Sequence, residues 1–389
     1  MFAKTVARHW MNKIEAGSLH VHFPDKSSYR VTGLKPGPTA RLTIHSWRFV
    51  RRVVLAGELA LAEGFMDGDW STDTLAELIE LGAKNNGVLR PNPAFAVFSD
   101  FLGWLAHRRN ANTLSGSKRN ISFHYDLGNN FYGSWLDPSM TYSSALFEDG
   151  VKDMSAAQIH KYRALADSID LKPGDRVLEV GCGWGGFAEV AARDYGATVI
   201  GLTLSEEQAA YARARMERLG LSHRVDIRLQ DYRQVRGEFD KLVSIEMFEA
   251  VGEENWPDYF RMLNDRLAPG GSAALQIITI DEGAFKRYRR RIDFIQRYIF
   301  PGGMLPSSEA LTREISRQGL ILTGMRYFGS SYAETLRIWR HRFLSAWPSI
   351  AKLGFDGRFK RMWIYYLGYC EGGFRAGRIN VGHFTLRKA

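Results

Sequence analysis

Hydrophobic and polar positions follow one pattern from about residue 155 to residue 280. Short apolar runs with the length of buried strands alternate with longer segments of helical spacing. The predicted strands are 176–180, 197–204, 224–230, 240–246 and 272–278, and the predicted helices are 155–171, 187–196 and 205–220. Strands and helices in alternation are typical of a doubly wound parallel sheet, so we expect an α/β fold here.

The N-terminal part of the chain has a different pattern. Two stretches with the apolar/polar alternation of strands precede one with helical spacing, at 19–24, 40–55 and 73–85. A polar segment at 107–120, which contains Gly116, is typical of a linker. At 389 residues the chain also exceeds the usual size of one domain. We therefore predict a smaller α+β domain over 1–115 and a larger α/β domain over 116–389.

Cysteine content and hydropathy exclude several classes of protein. Cys182 and Cys370 are the only cysteines, and their spacing suits neither a metal site nor a disulfide framework, so we predict no metal and a cytoplasmic protein. No apolar run approaches the about 20 residues that a membrane-spanning helix needs. The first residues lack the apolar core of a secretion signal, and we expect a protein that is not exported.

Positive charge is concentrated in two places, within a net charge of +10. Residues 1–52 hold ten Lys and Arg against Glu15 and Asp25 alone. A second cluster consists of Lys286, Arg287, Arg289, Arg290 and Arg291. Such clusters suit a polyanion, which is either nucleic acid or the anionic face of a membrane, although they also occur on solvated surfaces.

A glycine-rich loop follows the strand at 176–180, in the sequence EVGCGWGG. Gly181, Gly183 and Gly186 match the dinucleotide pattern G-x-G-x-x-G, whereas Gly181, Gly183 and Gly185 match the tighter pattern G-x-G-x-G. Both patterns bring the backbone close to a ligand at the start of a helix. The first predicts hydride transfer and the second predicts methyl transfer from S-adenosylmethionine.

Three features favour S-adenosylmethionine. Glu179 precedes the glycines, where a carboxylate can organise the loop around the methionine part of the cofactor. A helix-containing segment precedes the strand, whereas a dinucleotide motif commonly opens its domain. The second strand also ends without an acid for a ribose hydroxyl, although Glu206 keeps the dinucleotide as an alternative.

Several stretches of the chain resemble the cyclopropane-fatty-acyl-phospholipid synthases and their relatives, the mycolic acid cyclopropane synthases. The matching stretches are 124–147, 177–192, 201–208, 244–252, 297–307, 342–350 and 358–367. The resemblance covers residues 120–389, and residues 1–115 match the N-terminal domain of the family more loosely. It implies a Rossmann-like class I methyltransferase fold with a seven-stranded sheet, plus the smaller α+β domain.

The resemblance also implies which residues bind S-adenosylmethionine. Those that would close over its methionine end are Tyr125, Tyr142 and Ser143, and those that would line it are Gly181, Gly183 and Gly185. The residues that would flank the ribose are Thr203, Leu204, Ser205 and Gln208. The two that would hold the adenine are Asp231 and Tyr232. Ser205 and Gln208 also have the spacing of a helix capping box.

The implied reaction adds the methyl group of S-adenosylmethionine to a cis double bond in an acyl chain of membrane phospholipid, and gives a cyclopropane. Methyl transfer leaves a carbocation, which needs a dry site with π-faces or carboxylates. The aromatic candidates for this site are Phe248, Phe300, Tyr332 and Trp339. Each of these residues also suits an ordinary core position.

Ring closure needs a base, which in the family is a bicarbonate ion held by a Cys, a Glu, a His, a Tyr and an Ile carbonyl. The matching residues here are Glu249, Tyr332 and Ile280, while the Cys and His positions are Ser144 and Ile278. Isoleucine removes a hydrogen-bond donor, which is costly for a buried anion. Glu246, oriented by Gln276, is therefore an alternative base. Glu246 could instead pair with an Arg or Lys at the surface.

These residues leave several functions open. If the proton leaves a neighbouring chain carbon, the product is a methylated alkene, which a partner reductase could saturate. A lipid-binding protein without catalysis is an alternative of another class. A nucleic-acid methyltransferase is disfavoured, because the sequence holds neither an N-P-P-Y or D-P-P-Y tetrad nor a Pro-Cys nucleophile. We expect a protein peripheral to the inner face of the membrane. Family members often form homo-oligomers, but no stretch of this sequence identifies an interface, and the oligomeric state stays open.

Overall fold

The computed structural model describes residues 2–85 and 127–389, which form two compact units. The first unit joins the described N-terminal residues to 287–299 and 336–379. The second unit holds the described residues from 127 to 286 together with 300–335 and 380–389. The predicted linker at 107–120 and the predicted boundary after residue 115 lie outside the described residues.

The first unit contains a four-stranded sheet in the order β2-β1-β3-β4. Its strands are β1 (Ala16–His22), β2 (Ser28–Thr32), β3 (Lys35–Ile44) and β4 (Trp70–Ser71). Strand β1 pairs antiparallel with β2 and parallel with β3. The helices with residues in this unit are Phe2–Met11, Trp47–Met66, Leu75–Lys84, Phe294–Tyr298, Gly329–Ala351 and Gly357–Arg375. The expected smaller α+β domain is thus present in the described N-terminal residues.

The prediction of a strand over 40–55 is wrong in its second half. Strand β3 ends at Ile44, and a helix begins at Trp47. The side chain of Ser46 accepts a hydrogen bond from the Arg48 amide at 3.2 Å and caps this helix. The cap satisfies an amide at the helix start, and the apolar/polar alternation along the sequence does not reveal it.

The C-terminal helix Gly357–Arg375 belongs to the first unit, although the sequence assigned it to the second domain. Two glycines on this helix allow close packing against the helix Leu75–Lys84. A Cβ atom on Gly368 would lie 2.7 Å from Leu75 Cδ2, and one on Gly372 would lie 2.7 Å from the Ala76 carbonyl oxygen. The helix Gly357–Arg375 therefore packs closely against the helix Leu75–Lys84 of the N-terminal segment.

The second unit contains the seven-stranded sheet that the resemblance implied. Its strands are β5 (Arg176–Val180), β6 (Thr198–Thr203), β7 (Val225–Leu229), β8 (Phe239–Ile245), β9 (Leu267–Ile280), β10 (Leu320–Tyr327) and β11 (Ile379–Lys388). They lie in the order β10-β11-β9-β8-β5-β6-β7. Strands β5 to β9 pair in parallel, and β10 pairs antiparallel with β11. The order reverses at β5, which is where such sheets form ligand-binding crevices.

Helices of the second unit follow the predicted alternation. They are Asn129–Gly133, Met154–Ser168, Gly186–Asp194, Glu206–Arg218, Trp256–Arg266 and Ser308–Arg317, and Glu282–Tyr288 lies mainly in this unit. Short 3₁₀ turns lie at Tyr232–Gln234, Phe248–Ala250 and Glu253–Asn255. Across the part of the chain that the structure describes, no helix is long and apolar enough to span a membrane.

We expect Gly372→Ala to lower the free energy of unfolding by about 1–3 kcal/mol, because the new methyl group would overlap the Ala76 carbonyl. The matched control is Gly82→Ala, in the helix Leu75–Lys84, where a Cβ atom would meet nothing within 4 Å. This control should be neutral or stabilising by about 0.4–1 kcal/mol. Urea denaturation measures both variants. Equal effects would contradict the close helix packing.

Candidate active site

A cavity opens at the carboxyl ends of β5, β6 and β8 in the second unit. Its volume is about 960 Å³ when the open solvent at its mouth is counted. The predicted cofactor residues that line it are Tyr142, Ser143, Gly181, Gly183, Thr203, Leu204, Gln208 and Tyr232. Glu179 and Glu246 line it too. Tyr125 lies outside the described residues, and its role stays a prediction.

The glycine loop has the backbone conformation that the tighter pattern suggests. Gly181, Gly183 and Gly185 all have positive φ angles, of +84°, +52° and +82°. Gly186 differs, because it opens a helix and a Cβ atom there would lie 2.5 Å from the Tyr162 hydroxyl oxygen. The glycines that need left-handed backbone are thus those of G-x-G-x-G.

The three loop glycines have different surroundings. A Cβ atom on Gly181 would collide with Met247 at 2.8 Å, whereas one on Gly183 would meet nothing within 4 Å. Gly185 is not part of the cavity wall, and a Cβ atom there would lie 3.0 Å from Met216 Cε. Gly185 therefore serves the contact between two helices, and its predicted cofactor contact stays a prediction.

Glu179 presents an unsatisfied acceptor to the cavity. The residue is 2% exposed, and its Oε2 atom has no hydrogen-bond partner within the described ranges. Burial raises the pKa of Glu179 to about 8, although Lys161 acts in the opposite direction. A cationic ligand would satisfy this acceptor and favour its ionised form. The site therefore fits the ammonium group of S-adenosylmethionine.

Residues at the end of β6 divide between the cavity and the next helix. The Thr203 hydroxyl donates to Gln208 Oε1 at 2.8 Å, and both residues line the cavity with Leu204. The Ser205 hydroxyl accepts a bond from the Gln208 amide and caps the helix Glu206–Arg218. Ser205 is buried outside the cavity wall, so its described contact is structural.

The two predicted adenine-binding residues also differ. Tyr232 lines the cavity. The Asp231 carboxylate accepts bonds from the Arg233 amide at 2.9 Å and from the Arg233 guanidinium at 2.7 Å. The carboxylate is therefore engaged within its own turn.

Glu246 directly follows β8 and is held by three donors. The Ser144 amide and Gln276 Nε2 donate to its Oε1 atom at 2.8 and 2.7 Å. The Tyr332 hydroxyl donates to its Oε2 atom at 2.6 Å. Glu246 also has a φ angle of +49°, a conformation that non-glycine residues adopt at a cost. The suggested alternative of surface pairing with Arg or Lys is wrong, because the carboxylate is bonded inside the unit and lines the cavity.

Glu249 lies one turn further and has a poorer set of partners. The Ile278 amide donates to its Oε1 atom at 2.6 Å, while its buried Oε2 atom has no hydrogen-bond partner in the structure as described. Burial and the nearby charge of Glu246 raise the pKa of Glu249 to about 8. Burial also raises the pKa of Glu246, but its three hydrogen bonds oppose this rise. The three donors favour the ionised form of Glu246 over that of Glu249, and Glu249, with a pKa of about 8, carries a proton at neutral pH.

The residues do not fit the bicarbonate ion that the resemblance implied. The Ser144 hydroxyl donates to the Ala145 carbonyl at 2.9 Å, while its amide and the Tyr332 hydroxyl are bonded to Glu246. Ile280, whose carbonyl would contact the ion, does not line the cavity. The Tyr332 hydroxyl and the Ser144 amide thus donate to the Glu246 carboxylate instead of to an ion.

Sequence reasoning missed a histidine behind Gln276. His383 Nε2 lies 3.0 Å from Gln276 Oε1, and burial lowers the pKa of His383 to about 3. The imidazole is therefore neutral, and it fixes Gln276 with its amide nitrogen toward Glu246. No local pattern reveals this contact, because His383 comes from β11, far along the chain.

Aromatic residues beside the cavity also differ from those expected. The Tyr132 ring lies 5.2 Å from the rings of Tyr142 and Trp184, both of which line the cavity. Phe248 instead packs against Trp256 in the core, with ring centres 5.4 Å apart. Of the other candidates, Trp339 belongs to the first unit, Phe300 is half-buried in the second, and Tyr332 bonds Glu246.

We expect Glu249→Gln to flatten the pH dependence of stability. The pKa of Glu249 is higher in the folded state than in the unfolded state, so the folded protein binds this proton more tightly. The contribution of Glu249 to the free energy of unfolding is complete below the unfolded pKa and is lost as pH rises toward 8. Urea denaturation from pH 5 to 9 should show wild type losing stability relative to the variant. The exposed Glu217→Gln is the control, and parallel curves for wild type and Glu249→Gln would contradict the assignment.

Comparisons with known proteins agree with this geometry. The family model described as mycolic acid cyclopropane synthetase matches residues 113–384. The chain is 40% identical to a tuberculostearic acid methyltransferase of Mycobacterium tuberculosis, over 86% of this chain and 80% of that protein. It is 36% identical to the cyclopropane-fatty-acyl-phospholipid synthase of Escherichia coli K12, over 93% of this chain and 94% of that protein.

Among solved structures, a mycolic acid cyclopropane synthase, CmaA1, in complex with SAH and CTAB is similar, with 31% identity and a TM-score of 0.66. The match covers 70% of this chain and 98% of that one. The expected class I methyltransferase fold and the resemblance noted from the sequence motifs are confirmed. The chain therefore belongs to the mycolic acid cyclopropane synthetase family.

Proposed function

We propose that this protein methylates a cis double bond in an unsaturated acyl chain of membrane phospholipid, with Glu246 as the base. The family relationship makes the chain an S-adenosylmethionine-dependent methyltransferase that acts on lipid acyl chains. The observation that carries the finer proposal is the carboxylate of Glu246, which is held by three donors and faces the cavity. A lipid-binding protein without catalysis would not need this charge.

The cavity has separate parts for the cofactor and for the base. S-adenosylmethionine supplies an electrophilic methyl group on a positively charged sulfur. We assign its methionine end to Glu179 and the glycine loop, and its ribose to Thr203 and Gln208. Glu246 lines the same cavity on the neighbouring strand β8, so it lies where a proton can be taken after methyl transfer.

Proton removal balances the reaction. The two electrons of the double bond would form the new C–C bond to the methyl carbon, and the methyl–sulfur bond would break with its electrons kept by sulfur. S-adenosylhomocysteine would leave as a neutral thioether, and the positive charge would pass to the acyl chain as a carbocation. Glu246 Oε2 then accepts a proton from a carbon beside the cationic centre, and the C–H electrons form the new bond of the product. Among the described residues Oε2 accepts only the Tyr332 hydroxyl bond, which leaves a lone pair for this proton. Tyr142 and Trp184 line the cavity, and aromatic side chains suit a cation.

The first candidate product is a methylated alkene, and the similarity to a tuberculostearic acid methyltransferase favours it. In cyclopropane-forming relatives the methyl proton goes to bicarbonate, whereas here the residues of that site are bonded to Glu246. A separate reductase would then be needed to saturate the methylated chain. The cyclopropane is the second candidate, and the similarity to the Escherichia coli cyclopropane-fatty-acyl-phospholipid synthase favours it.

Of the two basic clusters expected to contact the membrane, the second suits this role better. The excess positive charge of residues 1–52 is offset, because Arg48 pairs with Asp69 at 2.8 Å and Arg52 with Asp67 at 2.7 Å. The first 85 residues hold eleven Lys and Arg against nine Asp and Glu. In the second cluster Arg287, Arg289 and Arg290 are exposed. We assign the contact with anionic lipid to this cluster.

The Glu246→Gln variant tests the base. We expect its rate of methyl transfer to fall by about 10²–10⁴-fold, because the amide cannot accept the proton. Purified protein would be incubated with S-adenosylmethionine and vesicles of cis-unsaturated anionic phospholipid, and the released fatty acids measured by mass spectrometry. Glu217→Gln is the control, and cofactor affinity should stay unchanged in both variants. A Glu246→Gln variant with full activity would rule out this base, and activity that depends on added bicarbonate would favour the ion.

Proton NMR of the same fatty acids decides the product. Olefinic protons together with the mass gain of one CH₂ support the methylated alkene, whereas upfield ring protons show cyclopropanation. No mass gain with wild-type protein on any unsaturated phospholipid tested would contradict the proposed function and favour a lipid-binding protein.

Glu179→Gln tests the cofactor site. We expect it to weaken S-adenosylmethionine binding by about 10–100-fold, because a neutral amide replaces the carboxylate that faces the ammonium group. Isothermal titration calorimetry measures the affinity, with Glu217→Gln as the control. Unchanged affinity would remove Glu179 from the proposed site.

A further inference from the structure

The helix Met154–Ser168 carries two completely buried polar residues, Gln158 and Lys161, one turn apart. Both hold Ser143, which lines the cavity. Gln158 Nε2 donates to the Ser143 carbonyl at 2.9 Å, and Lys161 Nζ donates to the Ser143 hydroxyl at 2.7 Å. The helix thus fixes both the backbone and the side chain of one residue.

Ser143 begins a segment that reaches the base. The amide of the next residue, Ser144, donates to Glu246. Further amides of the segment are also bonded, because Ala145 donates to the Thr335 hydroxyl and Phe147 to the Ser331 hydroxyl, both at 3.1 Å. A shift of Ser143 would therefore move one of the three donors on the carboxylate.

Lys161 also acts by its charge. Burial lowers the pKa of Lys161 to about 7, and the negative charges of Glu246, Asp137 and Glu179 oppose this effect, in that order of size. The ring of Tyr162 lies 4.4 Å from the ammonium nitrogen, and the nearby His383 is neutral. A buried ammonium is costly unless an opposite charge compensates it.

The charge of Lys161 also affects the pKa of the Glu246 carboxyl group. Burial raises the pKa of Glu246, while Tyr332, the Ser144 amide, Gln276 and Lys161 lower it. Glu249 is the acidic neighbour, and burial together with the charge of Glu246 raises its pKa to about 8. Lys161, on the helix Met154–Ser168, is a cation whose charge lowers the pKa of Glu246.

We propose that Lys161 is a positioning residue that supplies the counter-charge for the Glu246 carboxylate and, through Ser143, holds the Ser144 amide against it. The inference rests on the proposed function, in which Glu246 is the base. It assigns a role in the reaction to a residue that is absent from the cavity wall.

The pH–rate profile of Lys161→Met tests this role. Without the cation the carboxyl group keeps its proton to higher pH, so the acidic limb of kcat should move up by about one pH unit or more. The rate at pH 7 should then fall about tenfold and recover at higher pH, since one pH unit corresponds to one decade. Lys172→Met is the matched control, because Lys172 is exposed and pairs with Asp170 at the surface, and its profile should overlay that of wild type.

The outcomes separate the inference from the proposed function. A Lys161→Met variant that is slower at every pH, with an unmoved acidic limb, overturns the inference and leaves Lys161 a structural residue. Wild-type protein without methyl transfer overturns the proposed function instead. A wild-type profile whose acidic limb disappears in Glu246→Gln, together with a displaced limb in Lys161→Met, supports both.

Thermal unfolding of the double variant keeps the inference testable if Lys161→Met folds poorly. Each single substitution leaves one buried charge without its partner, so each should lower Tm. In the double variant, Lys161→Met with Glu246→Gln, both charges are absent, and Tm should lie above that of Lys161→Met alone. A double variant whose Tm falls by the sum of the two single losses shows that the residues do not interact, and overturns the proposal.

Discussion

The structure of the site depends on keeping one negative charge inside the protein. Glu246 lies at the end of β8, in a strained backbone conformation, and its carboxylate accepts bonds from a loop, a strand and a helix. An ionised carboxylate without such partners would take up a proton in this environment. The segment at 143–147, strand β9 and the helix that carries Tyr332 must therefore meet at this point, whatever else each of them does.

Glu179, Glu246 and Glu249 differ in their hydrogen-bond partners, and these differences suit different roles. Glu179 lies near the end of β5 with one oxygen unsatisfied, and Glu246 follows β8 and is held by three donors. Glu249 lies one turn further and accepts a bond from the Ile278 amide. The unsatisfied oxygen beside the glycine loop suits a cation that arrives with the cofactor. The bonded carboxylate suits a base that stays ionised. The protonated Glu249 avoids a second negative charge beside the first, which would raise the pKa of both groups.

Local signals explain what the sequence could predict. The strand at 176–180, the Ser205 cap and the left-handed glycines depend on neighbours in the chain, and the structure has them as expected. Gln276 donates to Glu246, in agreement with the prediction that Gln276 orients this carboxylate. The roles of His383 and Lys161 depend on contacts with distant segments, so no periodicity reveals them. The strand predicted from the alternating pattern over 40–55 is wrong in its second half, because Ser46 caps a helix that begins at Trp47.

A base that is part of the chain differs physically from a bound ion. Bicarbonate carries its own charge and has to be bound by donors. The carboxylate of Glu246 is covalently attached to the chain. Tyr332, Gln276 and the Ser144 amide donate hydrogen bonds that stabilise it without a bound ion. The loss of the Cys and His ligands at 144 and 278 is then no defect, because the chain keeps an amide at each position and bonds it to a glutamate. Under the proposed function, proton removal is therefore tied to the position that these three donors give the Glu246 carboxylate at the end of β8.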